Sequence, residues 1–267
     1  MFRMRWLVLA LFLTACSSVT PMTPTPTATL TPTARATPTR RPSSTPSLFP
    51  TGTPPAVLIT SGEWTEPYVA LTFDVCQTPE EPAGYDAAIV AVLERYDIPA
   101  TFFMGGDWMR THPEETKILA SHANFELGNH SWSHPDFTQL TADEIVQEIK
   151  QTEDLLLELT GRHSRLFRLP FGTYNEDVLR VVAEQGLYTI QWDAVTGDPD
   201  PSFDAATLLA EVQRSTRNGS IIIMHANGRG WHSAEALPSI IEYLQSRGFV
   251  LVTVSQLLGL EPILAEH

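Results

Sequence analysis

The stretch YVALTFDVCQTPEEPAGYD, residues 68–86, begins as an apolar run and ends as a polar loop. Tyr68–Phe73 predicts a buried strand, because short apolar runs rich in aromatic and β-branched residues fit a strand that is covered on both faces. A carboxylate, Asp74, follows this strand directly, and Val75 and Cys76 come next. Asp74 either caps the next turn or serves as a general base, and both interpretations are open at this point.

Similar runs recur along the chain and alternate with helical patterns. Further strands are predicted at Ala100–Met104, Phe125–Asn129, Leu166–Leu169, Tyr188–Trp192, Ser220–Met224 and Phe249–Val254. Helices are predicted near Tyr85–Tyr96, Pro113–Ser121, Ala142–Leu159, Asn175–Gln185, Ala205–Arg217 and Ala234–Ser246. Alternating strands and helices imply parallel pairing, in an open doubly wound sheet or in a barrel. The absence of a glycine-rich phosphate loop favours an α/β barrel with about seven strands.

Reactive residue types follow the predicted strands. Active sites of such barrels lie at the carboxyl ends of the strands, so these residues are expected to share one mouth. They are Asp74 after the first strand, His130 and His134 after the third, Arg168 at the end of the fourth, Asp193 and Asp198 after the fifth, and His225 after the sixth.

The segment GNHSWSH, residues 128–134, contains two histidines four residues apart. This spacing predicts that both rings lie on one side of a helical turn and share a divalent ion, for which imidazole favours zinc. Alone, the pattern would indicate two polar loop residues, but its place at a strand end in a histidine-poor chain favours ligands. Arg168 lies in the apolar segment FRLPFG, so we expect it to orient Asp74 and lower its pKa rather than to form a surface ion pair.

The segment SIIIMHANG, residues 220–228, presents His225 at the end of an aliphatic run. His225 is either a hydrogen-bonded core histidine or the acid that protonates a leaving group. In the second interpretation Asp198 keeps the imidazole charged. Ile223 would then face the same mouth and form an apolar wall.

Five motifs occur in the order and approximate spacing of the polysaccharide deacetylase family, which is carbohydrate esterase family four. These motifs are TFD, NHSWSH, RLPFGTYN, QWDAVTGD and IIIMH. The chain resembles this family over nearly all of residues 68–257. The resemblance implies a distorted (β/α) barrel, a divalent ion that is usually zinc, and hydrolysis of N-acetyl or O-acetyl groups on a glycan.

The resemblance also assigns roles to individual positions of this chain. It assigns Asp74 as the base, Arg168 as the residue that orients it, His130 and His134 as metal ligands, His225 as the acid, Asp198 as the residue that tunes it, and Ile223 as the apolar wall near the acetyl methyl. The loop GRGWHS, residues 228–233, resembles a substrate-facing loop, and Trp231, His232 and also Tyr174 of RLPFGTYN are expected to contact sugar.

The chain departs from the family directly after the base. The family usually has a second Asp there, which is the third metal ligand, whereas this chain has Val75, which cannot bind metal. Either water completes a two-histidine site, or a neighbour replaces the missing ligand. The candidates for replacement are Cys76, Glu80, Glu81 and Asp86. Of these, Cys76 is expected to be a small buried residue and Asp86 a helix N-cap.

The first 56 residues have a different character from the rest. Arg3 and Arg5 precede an apolar run that ends in LTAC, which resembles a bacterial lipobox with Cys16 as the lipidated residue. We therefore predict a signal peptide at residues 1–15 and a Thr/Pro-rich disordered tether at residues 16–56. The catalytic domain is predicted at residues 57–267. The protein is expected to be an extracytoplasmic lipoprotein held at the membrane by a lipid anchor.

Charge narrows the choice of partner. Residues 1–56 contain five Arg and no acidic residue, which leaves 12 basic against 31 acidic side chains, a formal net charge of −19, in the remainder. Such a domain should repel nucleic acid, so a neutral or cationic glycan is expected. The predicted function is metal-dependent removal of acetyl groups from an extracellular glycan, most simply an N-acetylglucosamine-type polymer. The alternatives are a non-catalytic glycan-binding lipoprotein, which Val75 favours, and an acetyl ester hydrolase that acts on xylan.

Overall fold

The computed structural model describes residues 52–260, so the predicted signal peptide, Cys16 and most of the predicted tether lie outside the described residues. Within this part the strands are β1 (Leu58–Ile59), β2 (Tyr68–Val75), β3 (Ala100–Met104), β4 (Phe125–Asn129), β5 (Leu166–Phe167), β6 (Tyr188–Ile190), β7 (Ala194–Val195), β8 (Ile221–His225) and β9 (Val250–Val252). The helices are α1 (Ala87–Tyr96), α2 (Gly106–Thr111), α3 (Pro113–Ser121), α4 (Ala142–Thr160), α5 (Glu176–Glu184), α6 (Ala205–Ser215), α7 (Ser233–Ser246) and α8 (Val254–Leu257).

The strands form one parallel sheet that curls back on itself. Its order is β1-β6-β5-β4-β3-β2-β8-β7, and β9 pairs with the start of β2. One bent segment, 188–195, contributes β6 beside β5 and, after three intervening residues, β7 beside β8. Because the same short segment pairs near both ends of the sheet order, the sheet is a distorted (β/α) barrel, as predicted, and not an open doubly wound sheet.

All seven predicted strands are present, and all six predicted helices begin and end within two residues of their expected bounds. Helix α4 begins with the capping box that Thr141 and Glu144 form, and it ends at Gly161, which has the left-handed φ of 69°. Strands β1 and β7 and helices α2 and α8 were not predicted. Within residues 52–260, every helix is too short or too polar to cross a membrane.

Strand β2 determines which side chains reach the barrel interior. Side chains of a strand alternate between its two faces. Leu71, Phe73 and Val75 belong to the apolar cluster that also contains buried residues of α1 and α7. Asp74 therefore points away from the helices and into the barrel mouth.

Candidate active site

Asp74 and Arg168 form a buried ion pair at the mouth of the barrel. Asp74 is 4% exposed and Arg168 is fully buried. Nη1 of Arg168 donates a hydrogen bond of 2.7 Å to Oδ1 of Asp74, and the guanidinium lies 3.9 Å from the ring centre of Phe103. Burial alone would raise the pKa of Asp74, but the positive charge of Arg168, the neighbouring His130 and His225 and the hydrogen bond from Arg168 together outweigh burial, and the pKa is lowered. Asp74 is therefore an ionised carboxylate, as a general base must be.

The two histidines lie on an irregular loop after β4, so the predicted helical turn is wrong. Ser131 and His134 both have left-handed backbone angles, with φ of 67° and 58°. Glu148 of α4 holds the segment between the histidines, because its carboxylate accepts hydrogen bonds from the backbone N–H groups of Trp132 and Ser133, each 2.8 Å long. The loop nevertheless brings the two rings together, with their centres 5.0 Å apart.

Both imidazoles are held in the neutral form that binds metal. Nδ1–H of His130 donates to the backbone carbonyl of Arg168 at 2.9 Å, which leaves Nε2 as the free ligand atom, 3.5 Å from Oδ2 of Asp74. Burial lowers the pKa of His130, and burial together with the neighbouring His130 lowers the pKa of His134 to about 3. Neither ring needs to lose a proton before it coordinates an ion.

Cys76 lies beside the two histidines. Among residues 52–260, one group of three or more potential ligands has all its ligand atoms within 4.8 Å of one another, and it consists of Cys76, His130 and His134. Ligand atoms around a tetrahedral zinc are about 3.3–3.8 Å apart, given metal–ligand distances of about 2.0–2.3 Å. Two imidazoles and a thiol are ligands that zinc prefers, so the residues present fit a divalent ion.

The other candidates for a third ligand have different contacts. Cys76 itself is buried, as expected, and burial raises the pKa of its thiol. The acidic candidates are held by other groups. Glu81 forms an ion pair with Arg229 at 3.2 Å. Asp86 stands at the N-cap of α1, as predicted, but its carboxylate accepts from the N–H of Gly228 instead of capping the helix.

His225 and Asp198 form a second polar pair, and His225 lies at the end of β8 in register with Asp74 of β2. Nδ1–H of His225 donates to Oδ1 of Asp198 at 3.0 Å, while Oδ2 of Asp198 accepts from the backbone N–H of His225 and from Oγ of Ser233. Burial alone would lower the pKa of His225, but the hydrogen bond and charge of Asp198 outweigh it, and the pKa is raised. The ring can therefore carry a proton above the pH at which an ordinary histidine loses it.

These groups open into one cavity with a volume of about 410 Å³. Its lining includes Asp74, Cys76, His134, Asp198 and His225, together with an apolar wall of Ile223, Phe171 and Trp192. The lining thus contains an ionised carboxylate, a neutral imidazole and a protonatable imidazole, and His130, which is not a lining residue, contacts Asp74 and His134. Such a set can bind a divalent ion and can move protons at a bound acyl group.

Comparison with known proteins identifies the family. A family model described as "Polysaccharide deacetylase" matches residues 61–190. The chain is also 31% identical, over 196 residues, to a peptidoglycan-N-acetylglucosamine deacetylase of Bacillus cereus, and the alignment covers 73% of this chain and 69% of that protein. This chain belongs to the polysaccharide deacetylase family.

Two other similarities show that membership of this family does not by itself establish enzymatic activity. The chain is 29% identical over 203 residues to the uncharacterised protein YlxY of Bacillus subtilis, and it spans 60% of that protein's length. It also resembles BA3943, described as a pseudoenzyme of carbohydrate esterase family four from Bacillus anthracis, with 29% identity and a TM-score of 0.69 over 76% of this chain and 69% of that one. Polysaccharide deacetylase family members thus include proteins described as enzymes and one described as a pseudoenzyme.

Some predicted residues of this polysaccharide deacetylase family member are not among those that line the cavity. Tyr174 and Trp231 are about half exposed and are not among its lining residues. His232 is also outside the lining, and it contacts Glu235 at the start of α7. Asp193, predicted at the same mouth, accepts from the N–H of Ile221 at the start of β8, so it lies at the opposite end of that strand. Phe171, Trp192 and Glu148 belong to the site or its support and were not predicted.

Proposed function

We propose that this protein is a metal-dependent hydrolase that removes acetyl groups from an extracellular glycan, with an N-acetylglucosamine-type polymer as its substrate. The observation that carries the proposal is the cavity lined by Asp74, His134 and His225. Asp74 lies against the buried Arg168, and His225 lies against Asp198. A cavity of about 410 Å³ is large enough for an acetylated sugar unit.

His130 and His134 would hold the divalent ion, and two imidazoles favour zinc. When bound, such an ion supplies a positive charge that polarises an acyl carbonyl. Asp74, kept ionised by Arg168, would take a proton from the attacking water. Nε2–H of His225 would give a proton to the departing amine as its C–N bond breaks, so the products are acetate and a free amino sugar. Ile223, which is 8% exposed at the cavity wall, would lie against the acetyl methyl group.

A glycan-binding protein without catalytic activity is the rival function, and Val75 is the observation that favours it. Two features argue against it. The Asp74–Arg168 pair is almost completely buried, and burying charges costs free energy that the pair's attraction often does not return. Asp198 raises the pKa of His225, and a raised histidine pKa helps proton transfer but has no evident use in binding a neutral sugar.

The proposal is tested by acetate release from peptidoglycan, chitin oligomers and acetylated xylan, with metal content measured on the same preparations. We expect acetate release from an N-acetylated glycan and about one divalent ion per chain, as for a mononuclear site. His130→Ala and His134→Ala should lose both the ion and the activity. His163→Ala is the matched control, because His163 is a half-exposed histidine whose ion pair is with Glu153. No acetate from any glycan would refute the hydrolase, and full metal content in both ligand variants would refute the ligand assignment.

We further propose that the protein is lipidated at Cys16 and acts outside the cytoplasm. The LTAC sequence after a basic and apolar start supports this, although it lies outside the described residues. A peptidoglycan deacetylase such as the Bacillus cereus relative acts on a cell-wall polymer, which fits the same location. Radiolabelled fatty acid should enter the wild type and not Cys16→Ser, and equal labelling of the two would contradict the anchor.

A further inference from the structure

We infer that the thiolate of Cys76 is the third protein ligand of the divalent-ion site and takes the place of the carboxylate that Val75 lacks. The inference rests on the proposed function for the presence of an ion, and it specifies which residues of this chain hold it. It gives the site two imidazoles and one thiolate.

The alternation of side chains along β2 explains why residue 76 can reach the ion. Val75 is fully buried in the apolar cluster on the helix side of the sheet. Residues 74 and 76 are two apart and therefore lie on the same face if the alternation continues one residue beyond β2. Both side chains do line the same cavity, so the alternation continues.

The backbone around Cys76 is fixed from two sides. Gly105 donates a hydrogen bond of 2.8 Å to the carbonyl of Val75, and a Cβ at position 105 would lie only 3.1 Å from Cα and Cβ of Cys76. The absence of a side chain at Gly105 thus lets the two segments approach each other. On the other side, Nδ2 of Asn227 donates to the carbonyl of Cys76 at 2.7 Å.

Burial and the negative charge of Asp74 raise the pKa of the Cys76 thiol, and two neighbours partly offset this effect. Nδ2 of Asn227 also lies 3.7 Å from Sγ, within the range of a hydrogen bond to sulfur. Arg229 lines the same cavity and adds positive charge. An ion that binds here would displace the thiol proton to solvent, and the resulting anion would supply the single negative charge that a carboxylate ligand would otherwise give.

Exchanging carboxylate for thiolate changes which ions the site prefers. Thiolate is a soft ligand that suits zinc and cobalt, whereas carboxylate oxygen suits magnesium and manganese. We therefore expect this chain to discriminate more strongly against magnesium and manganese than a site with two imidazoles and one carboxylate does.

The test uses cobalt as the probe and the full chain with the substitution Cys16→Ser. The sequence contains two cysteines, so Cys76 is the one thiol that remains in this variant. Addition of Co²⁺ should produce the near-ultraviolet sulfur-to-cobalt charge-transfer band of a cobalt thiolate. Cys76→Ser should abolish the band and weaken Zn²⁺ affinity by at least about tenfold, since even indirect support of a ligand is worth about 10–100-fold. Cys76→Asp should restore much of the affinity without the band, because it returns an anionic ligand.

The outcomes separate this inference from the proposed function. No charge-transfer band in the single-thiol chain, or unchanged Zn²⁺ affinity in Cys76→Ser, overturns the assignment of Cys76 even if acetate is released. A band that Cys76→Ser removes, in a chain that releases no acetate from any glycan, supports the ligand while it refutes the hydrolase. Circular dichroism of each variant in chelator shows whether a lost band reflects a lost fold.

Discussion

Asp74→Asn should lower kcat for acetate release by about a hundredfold or more, the range typical of a lost general base. Asparagine has the size of aspartate, and its carbonyl can still accept the 2.7 Å hydrogen bond from Arg168. It cannot take a proton from water, so the chemical step should slow while the glycan still binds. The measurement is kcat at saturating glycan, with ion content determined in parallel.

Stability must be followed in the same variant, because Asp74→Asn leaves the buried charge of Arg168 without its counter-ion. Asp193→Asn is the matched control. Asp193 also pairs with an arginine, Arg217 at 3.1 Å, but at the opposite end of β8 from the cavity. The Asp193→Asn variant should have a changed free energy of unfolding but an unchanged kcat. Wild-type kcat in Asp74→Asn would exclude Asp74 as the base and would favour the glycan-binding function.

Asp198→Asn should move the alkaline limb of the pH–kcat/KM profile to lower pH. The active form of His225 is protonated, so activity falls as pH rises through its pKa, and Asp198 raises that pKa. The asparagine oxygen must face the N–H of His225 and the hydroxyl of Ser233, which leaves its NH₂ group facing Nδ1 of His225. That contact disfavours a proton on Nδ1 and so lowers the pKa of the ring.

Above the displaced limb, the loss of kcat/KM should be on the order of tenfold or more, since general acids commonly contribute about 10²–10⁴-fold. Asp200→Asn is the control, because Asp200 lies two residues away and binds Ser202 in the same loop. It should leave the profile unchanged. An alkaline limb that stays in place in Asp198→Asn would show that His225 is not the acid, or that Asp198 does not tune it.

The sequence predicted the long elements and missed the short ones, for a physical reason. Strands such as β2 and helices such as α4 contain enough residues to display a period and a cap. Strand β7 is two residues long and exists only because it pairs with β8, which lies more than 20 residues later in the chain. Helix α2 begins at Gly106, directly after Gly105, and glycines give no helix signal.

The residues of the candidate site were also predicted only in part. Residues that follow long strands, such as Asp74 and His225, were placed at the mouth because the strand ends are fixed by the fold. Asp193 was placed there wrongly, because the chain bends between β6 and β7 and carries Asp193 back to the start of β8. Glu148 holds the histidine loop from one face of α4, 15 residues beyond Ser133, and no local pattern marks such a contact.

The curled sheet also bears on how the chain reaches its native state. Strand β2 pairs with β8, and the side chain of Thr72 binds the carbonyl of Ile222 across 150 residues of sequence. Until β8 has been delivered, one edge of an almost wholly apolar strand has no partner. Non-local pairing of this kind raises the contact order and slows folding, and an exposed strand edge invites association between chains. The late closure of the barrel therefore makes the interval between the appearance of β2 and that of β8 the period of greatest risk of aggregation.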